Sequence, residues 1–376
     1  MRLSFPARSL KATLRASKVV KPETKDITIR IDGDVLTMFA YDKRRYVVSR
    51  IAGGDNIDSS SDFFLHIDKT SILDSDLETI VVSMKEGSMT VKAEGGGQSR
   101  SATLKSRSVN SRRPRIPTLP SVDLMPVKTK EFEWLLRQLS CSALVKETKT
   151  EDDMRANQIH FYSELRVAGS TAGYYGTIVL TPDIALDLSI ISSDIPIIRA
   201  FCSSLSCDSI YIGQDLHHVF LVDRATNSFL ALGKVRGSKP PMQFPDMGQF
   251  KIAFSVPKDV ITRSLEWSST AIDGTQRVTF NISRSDLSSP AGEAVLSAKE
   301  ELTRFPVSFL SGSSFCTDLP IRYLSSIVGY IEEDVVFHFG HEEMPTVLGL
   351  SSSSGRNASM KAMHFVNSMK IGQVSK

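Results

Sequence analysis

The chain has 376 residues, of which 41% are hydrophobic and 23% are charged, and its formal net charge at pH 7 is +3. This composition is typical of a globular protein of roughly two to three domains and excludes a mainly disordered chain. No run of about 18 apolar residues occurs, so we expect no membrane span. The first segment, MRLSFPARSL, lacks the apolar stretch of a secretory signal.

The first long element is a predicted helix over RSLKATLRASKVV, residues 8–20. At 100° per residue, four cations fall within one narrow arc: Arg8, Lys11, Arg15 and Lys18. The opposite side carries Leu10, Thr13, Leu14 and Ser17. Surface helices usually mix charges, because acid–base pairs at i,i+4 stabilise them. A row without acids therefore predicts a polyanion opposite it, with a solvated charged face as the alternative.

One pattern then recurs six times along the chain: a short apolar strand, a helix, and two or more alternating strands. Its openings are RLSFPARSLKATL at residue 2, FLHIDKTSIL at 64, MPVKTKEFEWLLRQL at 125, LSIISSDIPIIRAF at 188, IAFSVPKDVITRSL at 252 and FPVSFLSGSSFCTDLPIRYL at 305. A spacing of roughly sixty residues is too long for common solenoid repeats and fits a strand–helix–sheet module.

The strands after each helix alternate between apolar and polar residues. In DITIRIDGDVLTMFAYD, alternation runs up to Gly33-Asp34, which predicts a hairpin turn there. TIVVSMKEGSMTVKAEGG repeats the arrangement with Glu86-Gly87 at the turn. Such alternation predicts antiparallel strands with one face toward a core.

Two similar proline-containing linkers divide the six units into pairs. RIPTLPSV (115–122) and QFPDMGQF (243–250) each place apolar residues around a proline, which blocks continuation of a helix or central strand. We therefore predict three domains, over residues 1–121, 122–247 and 248–376.

This order of repeats resembles the DNA polymerase sliding clamp of the bacterial three-domain type, over the whole chain. The most specific stretches are FPDM (244–247), LRVAGSTAGYYG (165–176) and MHFVNSMKI (363–371). In the second stretch, Thr171 and Gly173 match the family's threonine-aspartate-glycine-histidine-arginine loop, whereas Ala172 and Tyr174 depart from it. This divergence fits a bacteriophage or other distant clamp better than a typical bacterial one.

The resemblance implies an α+β fold with three tandem clamp domains, each a doubled strand–helix–antiparallel-sheet unit. Helices would line the interior of a ring and sheets would form its outside, and two chains would close it. The implied partner is double-stranded DNA, bound without sequence specificity. The candidate DNA-binding residues are Arg8, Lys11, Arg15, Lys18, Arg44, Lys69, Arg137, Arg199, Lys258, Arg263 and Arg322. Candidate edges for ring closure are SATLKSR (101–107) and AVLSAKEEL (294–302), with Lys105 and Arg107 facing Glu300 and Glu301.

The family also implies a pocket in which a polymerase or clamp loader inserts a short apolar peptide. The candidate pocket residues are Thr171, Gly173, Tyr175, Met247, Phe250, Met344, Pro345, Val347, Met369, Lys370 and Ile371. Flexible methionine side chains suit a pocket that accepts several partners. Ordinary edge-strand residues are the alternative interpretation.

No arrangement of residues indicates catalysis, a metal or a cofactor. The four cysteines, Cys141, Cys202, Cys207 and Cys316, form no zinc pattern, and we expect buried thiols in a reduced cytoplasm. The His338–His341 spacing on a strand and turn does not favour a metal site. The expected function is a non-enzymatic processivity factor. A β-rich nucleic-acid-binding protein that forms no ring and an enzyme with a hidden site are the alternatives.

Overall fold

A computed structural model of the chain describes residues 2–20, 26–53, 60–66, 77–85, 88–105, 115–140, 158–172, 175–205, 207–235, 239, 250–271, 277–284, 286, 288–298, 301–331, 334–339, 347–352 and 361–367. The chain divides into two compact units. Unit 1 comprises Met1–Glu133 and Ser193–Arg236, and unit 2 comprises Trp134–Ser192 and Gly237–Lys376. The three predicted domains are not distinguished by this division and stay a prediction.

The described residues form five α-helices: α1 (Ala7–Val19), α2 (Thr129–Ser140), α3 (Ile195–Cys202), α4 (Lys258–Ala271) and α5 (Ile321–Tyr330). The strands of the first two repeats are β1 (Arg2–Pro6), β2 (Asp26–Asp32), β3 (Val35–Tyr41), β4 (Arg45–Ala52), β5 (Ser60–His66), β6 (Thr79–Lys85), β7 (Ser88–Gly95) and β8 (Gln98–Lys105). Those of the next two are β9 (Met125–Lys128), β10 (Gln158–Tyr162), β11 (Val167–Ala172), β12 (Tyr175–Leu180), β13 (Ser189–Ile191), β14 (Ser209–Gln214), β15 (His218–Asp223) and β16 (Ser228–Gly233). The last two contain β17 (Ile252–Val256), β18 (Arg277–Arg284), β19 (Ala291–Ala298), β20 (Glu301–Ser311), β21 (Phe315–Pro320), β22 (Val335–Phe339), β23 (Val347–Ser352) and β24 (Lys361–Asn367).

The six-fold repeat is confirmed. Each repeat begins with one strand and ends with a meander of three antiparallel strands, namely β2–β4, β6–β8, β10–β12, β14–β16, β18–β20 and β22–β24. Five repeats have a described helix between the two parts, and the helix predicted for the second repeat lies outside the described residues. The repeats also exchange strands in pairs, because β1 joins β6 while β5 joins β2. The same exchange links β9 to β14, β13 to β10, β17 to β22 and β21 to β18.

Three sheets result from these pairings. Unit 1 contains a four-stranded sheet, β1-β6-β7-β8, and an eight-stranded sheet, β5-β2-β3-β4-β16-β15-β14-β9. Unit 2 contains a twelve-stranded sheet, β13-β10-β11-β12-β24-β23-β22-β17-β20-β19-β18-β21. Two sheets continue across the predicted domain boundaries, through the antiparallel pairs β4–β16 and β12–β24. In both pairs, the last strand of one meander meets the last strand of another.

Local sequence explains the form of α1. Its buried residues are Ala7, Leu10, Thr13, Leu14, Ala16 and Ser17, which include all four predicted for the buried face. The hydroxyl of Thr13 donates to the carbonyl of Ser9 at 3.0 Å, and that of Ser17 donates to the carbonyl of Thr13 at 3.2 Å. Because these hydroxyls bond within their own helix, they can be buried without an unsatisfied donor. This face packs on β3, β4 and α3.

A proline-containing strap crosses the outer face of the eight-stranded sheet. The first predicted linker supplies Ile116, Leu119 and Val122, and Leu124 follows it. All four are half-buried over a buried cluster that includes Phe39 of β3 and Val48, Phe220 and Phe229 of its neighbours. We call residues 115–124 the strap. Gly213 of β14 lies so close to it that an added Cβ would be 2.3 Å from the carbonyl oxygen of Asp123. The linker is therefore a packed structural element as well as a boundary.

The core of unit 2 is rich in stacked phenylalanine rings. Phe254 of β17 stacks on Phe337 with ring centroids 5.0 Å apart and on Phe339 at 5.6 Å. Helices α4 and α5 close this core with buried residues such as Ile261 and Leu324. Aromatic pairs with such geometry add about 0.5–1.5 kcal/mol each beyond their buried area.

The prediction that all cysteines are buried is wrong in part. Cys202 is buried, but Cys207 is only half-buried and Cys316 is exposed. In β21, Cys316 alternates with buried Thr317 and Leu319, so its side chain lies on the opposite face of the strand. Cys141 lies outside the described residues. Among the described residues, no helix is long and apolar enough to cross a membrane, and no cluster of three metal-ligating side chains occurs.

Candidate nucleic-acid interface

The exposed face of α1 carries the predicted cationic row. Arg8 and Arg15 are exposed, and Lys11 and Lys18 are half-buried, which allows their charged ends to reach solvent. The first turn of α1 contains no acidic residue, although an acid there would stabilise the helix dipole. Within the described part of the chain, no carboxylate pairs with Arg8, Arg15 or Lys18. This helix therefore presents a row of positive charge at its surface.

Helix α3 packs against α1 in unit 1 and exposes little besides Pro196 and Arg199. Arg199 also acts on Glu133: burial raises the pKa of the Glu133 carboxyl, and the charge of Arg199 partly offsets that rise. On α2, Lys130 and Arg137 are exposed. Helices α2 and α3 thus carry exposed cations, and the charge of Arg199 acts on the carboxylate of Glu133.

Two of the predicted cations of unit 2 bond to groups of their own unit. The ammonium group of Lys258 donates to the carbonyl of Ile331, just beyond the end of α5. Arg263 pairs with Asp259, one turn earlier on α4. Arg322 lies in the first turn of α5. Of the predicted set, Lys69 lies outside the described residues.

Arg44 lies in the turn between β3 and β4 and is exposed. Its guanidinium donates to the carbonyl of Gly233 at 3.1 Å, and its own carbonyl accepts from Gly233 N–H at 2.7 Å. Arg44 therefore helps to join the strand β4 to β16 while its positive charge remains at the surface.

The next residue, Arg45, has a role that the sequence did not indicate. Its Nε atom lies 2.7 Å from Oδ1 of Asp194, whose side chain is only 2% exposed. Its Nη2 donates to the hydroxyl of Ser193 at 3.2 Å. Burial raises the pKa of Asp194, and the charges of Arg45 and Arg44 oppose that rise. The pair fixes the start of α3 to the sheet; its two residues are 149 positions apart, so no local signal could reveal it.

Part of the predicted peptide pocket can be located in unit 2. Thr171 lies at the end of β11 and pairs with Gly176, while Tyr175 of β12 pairs with Val366 of β24. Val347 begins β23 and pairs with the last residue of β24. These three predicted residues therefore lie at the same end of four adjacent strands.

Of the remaining predicted pocket residues, the structure describes only Phe250. Phe250 is half-buried, and its ring packs edge-on against His338 at 6.3 Å. Burial lowers the pKa of His338. The others lie outside the described residues: Gly173, Met247, Met344, Pro345, Met369, Lys370 and Ile371. The pocket as a whole stays a prediction.

No protein-family model and no curated protein matches the chain. Solved structures do match it over nearly its full length. The DNA polymerase III beta subunit from Thermotoga maritima is 13% identical with a TM-score of 0.73, and the match covers 98% of this chain and 99% of that one. The corresponding subunit from Borrelia burgdorferi is 13% identical with a TM-score of 0.74, and the match covers 99% of this chain and 100% of that one. The DNA polymerase sliding clamp from Pseudomonas aeruginosa is 14% identical with a TM-score of 0.72, with the same coverage of 99% and 100%. The chain has the α+β fold of these proteins.

Proposed function

We propose that the chain is a DNA sliding clamp, a non-enzymatic processivity factor that encircles duplex DNA and tethers a polymerase in the cytoplasm. The observation that carries this proposal is the cationic face of α1, at the surface and without an acid in its first turn, on a chain with the clamp fold. A clamp must hold DNA without stopping on it. Long Lys and Arg side chains do this, because movement along the duplex exchanges equivalent phosphate contacts.

Strand pairing supports the assembly of a ring. The last strands of the six meanders are β4, β8, β12, β16, β20 and β24. Four of them already pair within the chain, as β4–β16 and β12–β24. The two that remain are β8, an edge of its sheet, and β20, whose residues 301–307 pair with β19 alone among the described strands. Pairing of β8 with β20 of a second copy repeats the same junction between chains. Head-to-tail pairing of this kind closes a ring, and we propose a dimer.

This geometry corrects one predicted edge. Residues 294–298 belong to β19, which lies between β18 and β20 and is not an edge. The alternating pattern of the segment is the same for an edge and an interior strand, so the sequence could not distinguish them. Lys105 is exposed on β8, and Glu301 begins β20. Their attraction across the junction stays part of the proposal.

The partner proteins are proposed to bind through short apolar peptides at the end of β11, β12, β24 and β23. The clustering of Thr171, Tyr175 and Val347 there supports this site. Deleting residues 369–376 tests it: a fluorescent peptide from the C-terminus of the cognate polymerase should no longer bind. Unchanged peptide affinity would exclude this location.

The DNA proposal is tested by reversing the four cations of α1 to Glu: R8E, K11E, R15E and K18E. The matched control reverses four exposed cations elsewhere in unit 1 to Glu, all outside β8: Lys85, Lys92, Arg115 and Lys128. Both variants change the net charge equally. Each lost phosphate contact should reduce the slope of log affinity against log salt by about 0.9. The α1 variant should bind DNA more weakly and with a smaller salt slope than the parent. Equal losses in the α1 variant and the control would refute a DNA interface on α1.

Light scattering separates the clamp from the two alternative functions. The clamp should have the mass of a dimer at micromolar concentration, and a non-ring nucleic-acid-binding protein should be a monomer. A monomer would refute ring assembly even if the chain still binds DNA. Nuclease or phosphatase activity would instead favour an enzyme.

A further inference from the structure

Three turns meet at one end of the eight-stranded sheet in unit 1. They comprise residues 42–45 between β3 and β4, residues 215–218 between β14 and β15, and residues 233–234 at the end of β16. We call them the three-turn corner. Backbone hydrogen bonds join them, because Gly233 N–H donates to the carbonyl of Arg44 and Lys234 N–H donates to that of His217, both at 2.7 Å. The corner is thus a single, well-connected surface.

The two carboxylates of the corner are directed into their own turns. Asp42 and Asp215 each use Oδ1 to accept from the backbone N–H groups two and three positions later, at 2.6–2.7 Å. Burial would raise the pKa of Asp215, but these N–H groups and the adjacent imidazoles lower it overall. Both carboxylates are therefore occupied by the turns that they stabilise.

Of the four cations of the corner, Arg45 pairs with buried Asp194, and the other three lie at the surface. Lys43, Arg44 and Lys234 are all exposed, as is His217. Nζ of Lys234 donates to the carbonyl of Asp215 at 3.1 Å, and a carbonyl does not neutralise its charge. Anchoring of this kind fixes the positions of the positive charges before any ligand arrives.

An apolar side chain stands among these cations. Leu216 is 88% exposed, the highest value for a large hydrophobic residue in the described part of the chain. The ring of His218 lies 5.5 Å from that of half-buried Tyr46, which extends the patch toward the sheet. Tyr46 and Arg44 are of the residue types enriched in interface hot spots, and the exposed side chain of Leu216 adds apolar surface that a partner can bury.

We propose that the three-turn corner docks an acidic, apolar peptide segment of a protein partner. Its carboxylates would contact Lys43, Arg44 and Lys234, and an apolar side chain of the segment would pack on Leu216. Complementary charge favours an acidic ligand. The central leucine favours a peptide over nucleic acid, because phosphate contacts gain nothing from an apolar group. The corner contains none of the residues of the predicted peptide pocket.

The test uses the full-length chain and the fluorescein-labelled peptide Glu-Asp-Leu-Phe-Glu-Asp, with Lys-Lys-Leu-Phe-Lys-Lys for comparison. L216S should weaken binding of the acidic peptide by about tenfold, and K43E should weaken it and reduce its salt dependence. The matched control is L165S, since Leu165 is also an exposed leucine in a hairpin turn, at 50% exposure. It should bind the acidic peptide like the parent.

Thermal melting verifies that each variant is folded. Absence of binding by the acidic peptide at 1 mM (about −4 kcal/mol) would overturn the proposal, as would equal binding of the basic peptide or an unchanged affinity in L216S. A twenty-base-pair duplex should bind L216S and the parent equally well. If the duplex competes with the acidic peptide and K43E alone weakens both, the corner is a nucleic-acid surface and the proposal is wrong.

Discussion

The ion pair between Arg45 and Asp194 permits a sharp test of how unit 1 is held together. Asp194 precedes α3 and is almost completely buried, whereas the side chain of Arg45 is 19% exposed. R45M keeps the length and apolar stem of the side chain and removes its charge. The carboxylate of Asp194 is then left in the interior without its main partner.

Removing one partner of a buried pair costs about 3–5 kcal/mol, because the other charge stays desolvated. We expect about 3 kcal/mol here, since water reaches part of the Arg45 side chain. For a unit of this size, that loss lowers Tm by about 6–12 °C. The double variant R45M/D194N removes both charges and should recover part of the loss. The matched control is K92M, because Lys92 pairs with Glu94 on an exposed surface of the same unit. It should cost under about 1 kcal/mol.

The assay is thermal unfolding at fixed protein concentration between pH 4 and pH 7. Burial already raises the pKa of Asp194 in the parent, and loss of Arg45 raises it further. When the pKa of an acid is higher in the folded than in the unfolded state, the protein loses stability as pH rises from the unfolded-state pKa to the folded-state pKa. The deficit of R45M should therefore be largest at pH 7 and should shrink toward pH 4. A deficit no larger than that of K92M, or one independent of pH, would refute this reasoning.

Three further results are expected. G213A should lower the free energy of unfolding by about 1–3 kcal/mol, because the new methyl group would collide with the carbonyl of Asp123 in the strap; an unchanged Tm would show that the strap moves freely. Leu14 is 1% exposed, so L14A should cost about 2–5 kcal/mol in urea unfolding. A thiol reagent at pH 8 should modify exposed Cys316 at once but reach Cys202 only on unfolding, since burial raises the pKa of that thiol; equal rates would contradict the packing of α3.

The features predictable from sequence are those with a local period. The buried face of α1 followed from spacing alone, because residues three and four apart share one side of a helix. The Gly33-Asp34 turn is also present, and Gly33 has a φ of 60°, which glycine adopts without strain. The six-fold repeat was visible for the same reason, since each repeat contains its own strand and helix signals.

The features missed depend on contacts between distant residues. The sequence around Arg45 does not show that this residue pairs with Asp194, because the two residues are far apart in the chain and meet only in the fold. The hydrogen bond from Lys258 to the carbonyl of Ile331 could not be predicted for the same reason. The sequence could not show which strands remain edges, so β19 was misassigned. Cys316 was expected to be buried from its residue type alone, although it lies on the exposed face of β21.

The β4–β16 junction also determines the order in which the chain can fold during synthesis. Val48 pairs with Phe229, so β4 has no neighbour on that side until roughly 180 further residues have been made. At typical translation rates of about 5–20 residues per second, this takes about 10–40 s. Throughout that interval β4 is an open edge, the kind of strand that associates with other chains. The first repeats therefore emerge early but complete their sheet late, and a nascent chain of this protein is exposed to misassociation for that time.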